Sequence, residues 1–190
     1  ADGVEARVEY GQKIAQCLGQ AAEDHVTNPR DDVMSMLLEV EVEGERLSRD
    51  EVDAICYLLF LAGVDTVAAM LTFIANYLAQ NQDLYQKIKA DKEFLETATD
   101  ELLRMHAFIN LNRICEADTE FHGVHFKQGD NIVVPSFVTD RDAATFPDPH
   151  NFNPDRSKVE RNMHHAFGDG PHKCIGMHLA KLEVKIVLEE

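Results

Sequence analysis

The stretch AFGDGPHKCIGMHLAKLE, residues 166–183, decides how this chain is read. Its centre is the pattern F-G-x-G-x-H-x-C-x-G from Phe167 to Gly176. Six fixed positions of these types arise by chance on the order of once in 10⁸ windows, so the pattern carries information. The glycines permit a tight, β-bulge-like turn with φ > 0. The helical periodicity that follows places Cys174 near a helix N-terminus, where the dipole and free N–H groups temper the charge of a bound thiolate.

Several chemistries compete for such a loop. A zinc site drawn from His164, His165, His172 and Cys174 lacks the CxxC and HxxxH spacing of structural zinc. A dinucleotide loop needs a strand, GxGxxG and an immediate helix, which GDGPHKCIG does not supply. An inert buried cysteine accounts for neither the histidine nor the glycines. A single thiolate serving as axial ligand of haem iron accounts for all of them.

Composition narrows the setting. The 190 residues are 45% hydrophobic, enough for one packed domain. A formal net charge of −16 makes nucleic acid a poor partner. Cys17, Cys56, Cys115 and Cys174 are scattered, which fits reduced, cytoplasmic usage better than a disulfide framework. The apolar run CYLLFLAGV is too short for a membrane span and leads into Asp65, so no membrane segment is expected in these residues. The chain starts without methionine and ends on KLEVKIVLEE, still in helical period, so truncation at both ends is expected.

Up to about residue 107 the periodicity is helical: Val4 to Glu23, DDVMSMLLEV, and a long element from Ser48 to about Asn81. SRDE at 48–51 is a capping box. The middle of the long helix is apolar on nearly every side, which predicts a central, buried helix. From Phe108 the pattern changes. FINLNRI alternates, EFHGVHFKQGDNIVVPS gives two short strands around turns at Gly123 and Gly129, and RDAATFPDPHNFNPDRSKVERN is an irregular meander. The fold class is mainly α with a small β portion.

Two further motifs carry polar residues in telling places. In LAGVDTV, residues 61–67, Gly63 interrupts the long helix and Asp65 and Thr66 lie on a face expected to be buried. They make either a simple kink with a satisfied threonine, or a gap where something flat approaches while Thr66 bonds back to the Ala62 carbonyl and the acid–alcohol pair relays protons. In DELLRM, Glu101 and Arg104 sit at i and i+3; by itself this spacing describes an ordinary surface ion pair.

Together these residues resemble the cytochrome P-450 superfamily: the mid-helix AGVDT, the ELLR helix, the PDPHNFNPDR meander and the FGDGPHKCIG loop. ELLR followed nine residues later by Arg113, then DTEFHGVHFKQGD, is similar to the soluble bacterial branch that includes the camphor hydroxylases. The resemblance spans residues 1–190 and implies the distal-helix and haem-ligand half of a single cytochrome P-450 domain.

The resemblance implies haem b as cofactor, with Cys174 as its thiolate ligand. Arg113 and His172 would bind the haem propionates, and Phe167, Gly168 and Gly176 would shape the loop against the haem or sulfur. Ala62 and Gly63 would make room for O₂, with Asp65 and Thr66 delivering protons for its activation. Leu58, Leu61, Ile109 and Leu111 would line the substrate pocket. Glu101, Arg104 and Arg156 would form a buried network that supports the cysteine loop. The implied activity is O₂-dependent hydroxylation of a small apolar, terpenoid-like substrate, with electrons from an iron–sulfur ferredoxin. RSKVERNMHHAFGDGPHK, with Arg156, Lys158, Arg161, Lys173 and three histidines, reads either as a solvated loop or as that partner's docking face. The contrasting readings are a haem-thiolate protein that uses peroxide or rearranges its substrate, and a non-catalytic haem- or metal-binding protein or inactive fragment.

Overall fold

Ser48 opens the longest element of the chain as the sequence predicts: its backbone N–H donates to Glu51 Oε2 at 2.7 Å, and the Glu51 N–H donates to Ser48 Oγ at 3.3 Å. The computed structural model describes residues 3–190, which form two compact units divided between Thr66 and Val67. The helix that starts here, α3 (Arg49–Gln80), runs through the boundary between them.

The first unit holds α1 (Gly3–Thr27), α2 (Val33–Glu39), a short hairpin of β1 (Glu41–Val42) and β2 (Glu45–Arg46), and the first half of α3. Asp32 caps α2 by accepting from Ser35 N at 2.9 Å. The His25 ring ties α1 to that cap, with Nδ1 2.6 Å from the Ala21 carbonyl and Nε2 2.8 Å from Asp32 Oδ2. Arg49 fastens α3 to α1 through the Gly19 carbonyl and Glu23. The hairpin went unread in the sequence, although Glu43 and Gly44 at φ 55° and 88° form the tight turn that an E-G pair allows.

The expectation of a fully buried α3 is corrected. Val52 and Cys56 are buried near its start and Met70, Ile74 and Leu78 near its end, each set in an i, i+4 row. Between them Leu58, Phe60, Leu61 and Val64 are exposed, Leu58 by 65%. The described chain therefore packs one stripe at each end of a helix that is apolar all round. The membrane expectation is corrected in its reasoning too: CYLLFLAGV is only part of a 32-residue helix that is long and apolar enough to cross a membrane.

In the second unit the end of α3 packs with α4 (Gln82–Ala90), α5 (Lys92–Met105) and α8 (Met177–Glu189). Ile74, Ile88, Leu102, Leu103 and Val184 are at its centre, each side chain contributing about 1.5–3 kcal/mol by leaving water. The helical reading to residue 107 resolves into five helices, α1 to α5, with the β1–β2 hairpin between the second and third. Asn81 turns its side chain back to the Tyr77 carbonyl at 2.8 Å, and Asp91 caps α5 by accepting from Glu93 N and Phe94 N at 2.9 and 3.0 Å.

The β portion of the second unit consists of two antiparallel pairs. FINLNRI supplies β3 (Asn110–Ile114), which pairs with β6 (Asn131–Pro135) so that Leu111 faces Val134 and Arg113 faces Ile132. β4 (Thr119–Phe121) and β5 (Val124–Phe126) form a hairpin around His122 and Gly123, both at positive φ. Three strands thus stand where the sequence reading placed two. After the one-turn α6 (Ser136–Thr139), the meander also contains α7 (Lys158–Asn162), opened by a Ser157–Glu160 capping box.

Candidate functional site

Glu101 and Arg104 make no surface pair; both side chains are 1% exposed. Arg104 grips the Glu101 carboxylate with Nε and Nη2 at 2.9 and 2.7 Å, the forked geometry a guanidinium suits best. Arg156 Nε approaches the same carboxylate at 3.1 and 3.2 Å, and Asn153 N donates to it at 3.1 Å. The remaining guanidinium donors are satisfied by backbone: Arg104 Nη1 by the carbonyls of Asp140 and Pro149, Arg156 Nη1 and Nη2 by those of Pro147 and Asp148. Both cations lie over the fully buried ring of Phe146, at 5.2 and 5.8 Å from its centroid. The cluster fixes the course of the meander by binding its carbonyls, which explains why that stretch is ordered with so little regular structure.

The cysteine loop follows. Gly168 and Gly170 adopt φ 69° and 72°, values that an L side chain resists. A 3₁₀ turn over Gly170–His172 leads to Cys174, whose N–H donates to the Phe167 carbonyl at 2.9 Å. The Cys174 carbonyl accepts from Met177 N at 3.4 Å at the start of α8, so the thiol stands just ahead of the helix, free and exposed. The Phe167 side chain packs inward against the core, its ring 5.9 Å from that of His164. A Cβ on Gly176 would sit 3.8 Å from Cys174 Sγ, and one on Gly168 would sit 3.6 Å from Leu111 Cδ2, which places the loop against β3. Ile109, just ahead of β3, and Leu111 on it are half-buried, whereas Asn110, Asn112 and Arg113 are exposed. The Arg113 guanidinium donates to the Asn112 carbonyl at 2.8 Å and, like the exposed His172, forms no ion pair among the described residues.

On α3, Thr66 Oγ1 donates to the Ala62 carbonyl at 2.7 Å, the back-bond expected from the sequence. A Cβ on Gly63 would meet nothing within 4 Å, so the helix presents a gap there. Asp65 and Thr66 are exposed, which corrects the buried face expected for them, and Leu58 and Leu61 are exposed beside them.

The basic stretch around the loop is thinner than its sequence. Arg156 is consumed in the buried cluster, and Arg161 lies 3.8 Å from Asp100. His164 is buried, and that burial pushes its imidazole down to about 4, leaving it neutral. Lys158, Lys173 and His172 remain exposed.

The sequence profile of the cytochrome P450 family matches residues 3–190. The chain belongs to the cytochrome P450 family. It is 33% identical over 186 residues to the probable cytochrome P450 127A1 of Sinorhizobium fredii, covering 98% of this chain and 44% of that protein. It is 36% identical over 162 residues to a steroid C26-monooxygenase of Mycolicibacterium smegmatis, covering 85% and 40%. Among solved structures, CYP109E1 from Bacillus megaterium in complex with testosterone superimposes with a TM-score of 0.89 at 31% identity, covering 97% of this chain and 51% of that one. The chain thus spans about half the length of the P450 relatives it matches. Because the family match takes in all of α3, that helix belongs to the P450 fold.

P450 proteins carry haem b, and the residues of the second unit fit it: a free, exposed thiol on a glycine-shaped loop, with an exposed guanidinium and imidazole to receive carboxylates. Sequence reasoning missed Phe146, Asn153 and Asp140. The fully buried Asp140 accepts from His165 N at 2.6 Å, and burial pushes its carboxyl above the usual range. A D-R-D triplet before a Pro-rich stretch carries no burial signal, so only the fold reveals it.

Proposed function

We propose that this chain is the distal-helix and haem-ligand half of a single P450 domain, and that the whole protein is a haem-thiolate monooxygenase. The observation that carries this reading is the exposed Cys174 on a loop held between two positive-φ glycines and the Phe167 carbonyl. Cys174 holds the haem, which supplies O₂ activation when bound; Arg113 and His172 receive its propionates. Thr66, turned back on the Ala62 carbonyl, leaves its oxygen as acceptor next to Gly63, and the exposed Asp65 that precedes it in the chain would link that oxygen to solvent. Together they would supply protons for the O₂ activation that the haem brings when bound. Ile109 and Leu111 in the second unit, and Leu58 and Leu61 in the first, would each offer apolar contact to a compact terpenoid-like substrate. The steroid named for the Bacillus megaterium structure is likewise apolar. Four free cysteines fit a cytoplasmic setting, and Lys158 and Lys173 beside the loop suit an acidic ferredoxin as electron donor.

Thr66→Ala in the full-length protein, assayed with its reductant and an apolar substrate, tests the reading. Reducing equivalents should be diverted into peroxide while haem binding persists. Unchanged coupling of electron use to product contradicts a proton-delivery role, and absence of any O₂ consumption in the wild type favours a non-catalytic haem protein.

A further inference from the structure

We propose that Asp140 is a positioning residue that ties the Cys174 loop to the buried Glu101–Arg104–Arg156 cluster, an inference that rests on the haem-thiolate reading of the loop. Asp140 is completely buried at the end of α6, and its two ends face different partners. Its backbone carbonyl accepts from Arg104 Nη1 at 2.6 Å, so the cluster fixes its position. Its carboxylate Oδ1 accepts from the His165 N–H, also at 2.6 Å. The His165 carbonyl in turn accepts from Gly168 N at 2.9 Å, and the Phe167 carbonyl accepts from Cys174 N at 2.9 Å.

The last two bonds involve the N–H and C=O of one peptide group, that between Phe167 and Gly168. A peptide group is planar, so fixing the direction of its N–H fixes that of its C=O. Asp140 therefore sets the plane that holds the ligand cysteine's own N–H, through a relay of Asp140, His165 and the 167–168 peptide. The turn that carries Asp140 is itself anchored on the other side: Asp140 N donates to the Ser136 carbonyl at 2.9 Å, and Ser136 N donates to the Ile109 carbonyl at 2.8 Å, just ahead of β3.

The choice of residue is costly for a purely space-filling role. Asp140 Oδ2 and Ser136 Oγ are both buried without a hydrogen-bond partner, and such groups lower stability. The titratable or charged groups facing the carboxyl are Arg104 and His165, whose Nδ1 is 3.5 Å from Oδ1. An acceptor that reaches the His165 N–H is what the position supplies, and an asparagine oxygen supplies it too.

The test uses the full-length protein, haem-free and haem-loaded, with Asp140→Ala, Asp140→Asn and His165→Ala. In the haem-free protein, D140A should speed amide exchange at Gly168 and Cys174 by about tenfold or more, while Leu102 in α5 and Ile88 in α4 stay within about twofold. D140N should restore wild-type exchange, and H165A, which keeps the backbone N–H, should leave it unchanged. In the haem-loaded protein, D140A should move part of the reduced carbon monoxide complex from the red-shifted thiolate band to the unshifted band, and D140N should move it back. If D140A does not fold, Asp140→Ser, too short to reach the His165 N–H, takes its place. Unchanged exchange at Gly168 and Cys174, an equal rise at Leu102 and Ile88, or failure of D140N to rescue overturns the proposal. A wild-type protein without the red-shifted band overturns the haem-thiolate reading instead, and leaves the exchange comparison to decide the tether by itself.

Discussion

Replacing Glu101 by glutamine keeps its shape and removes one charge, and the structure sets what this costs. The carboxylate accepts from Arg104 Nε and Nη2, Arg156 Nε and Asn153 N, and it is the carboxylate that faces both guanidinium groups within a site 1% exposed. A glutamine amide offers one oxygen and turns an NH₂ toward N–H donors. Two cations are left in a low-dielectric site without the carboxylate they share. Breaking a buried pair by removing one partner costs about 3–5 kcal/mol. The Phe146 ring beneath both cations and the four backbone carbonyls soften the loss without replacing the charge. For a chain of this size each kcal/mol lowers the melting temperature by about 2–4 °C, so E101Q should melt about 6–20 °C lower. Urea unfolding followed by circular dichroism, with thermal melts alongside, reads this directly. A loss below about 1 kcal/mol would refute the reasoning, since it would mean that the cations are solvated or the pair is no better than a surface bridge.

Two other outcomes follow from the same kind of accounting. The His25 ring faces two acceptors, Ala21 O and Asp32 Oδ2, and both bonds form only when both nitrogens carry protons; the Ala21 and Asp32 contacts raise its pKa, against a smaller effect of burial and the nearby Arg30. The folded state then holds this proton more tightly than the unfolded one. Its contribution is complete below the ordinary histidine value of about 6.5 and is lost as pH rises through the raised value. Melting temperature should fall across that window, and His25→Gln should flatten the fall; identical pH profiles for both proteins would contradict the doubly bonded ring. Asp91→Ala removes the acceptor for Glu93 N and Phe94 N and should cost about 1 kcal/mol in urea titrations, with Asp91→Ser recovering most of it.

What could be read from the sequence follows from which constraints are local. Gly168 and Gly170 are fixed by backbone conformation, and Cys174 stands out by the ligand chemistry proposed for it; both leave their mark in residue type. Thr66 back-bonding to Ala62 and the Ser48–Glu51 box are contacts within one helical turn, and they appear as read. The fate of Glu101 and Arg104 is different. An i, i+3 pair looks the same on a surface and in a core, and the partners that bury it, the carbonyls of Asp140 and Pro149, lie 36 and 45 residues away from Arg104. Asp140 and Phe146 escaped notice for the same reason. The Glu43–Gly44 hairpin and the Ser157–Glu160 capping box were within reach of local rules, but lay inside stretches read as connections. In α3, apolarity on all sides predicts burial on all sides, whereas the described chain covers only the rows through Val52 and Met70.

The central claim is that Cys174 is the haem ligand, and a carbon monoxide difference spectrum of the reduced, haem-loaded full-length protein tests it most directly. A strongly red-shifted Soret band in the wild type that disappears in Cys174→Ser, with haem still bound, is the predicted result. A wild type without that band, or a Cys174→Ser protein that keeps it, would contradict the account.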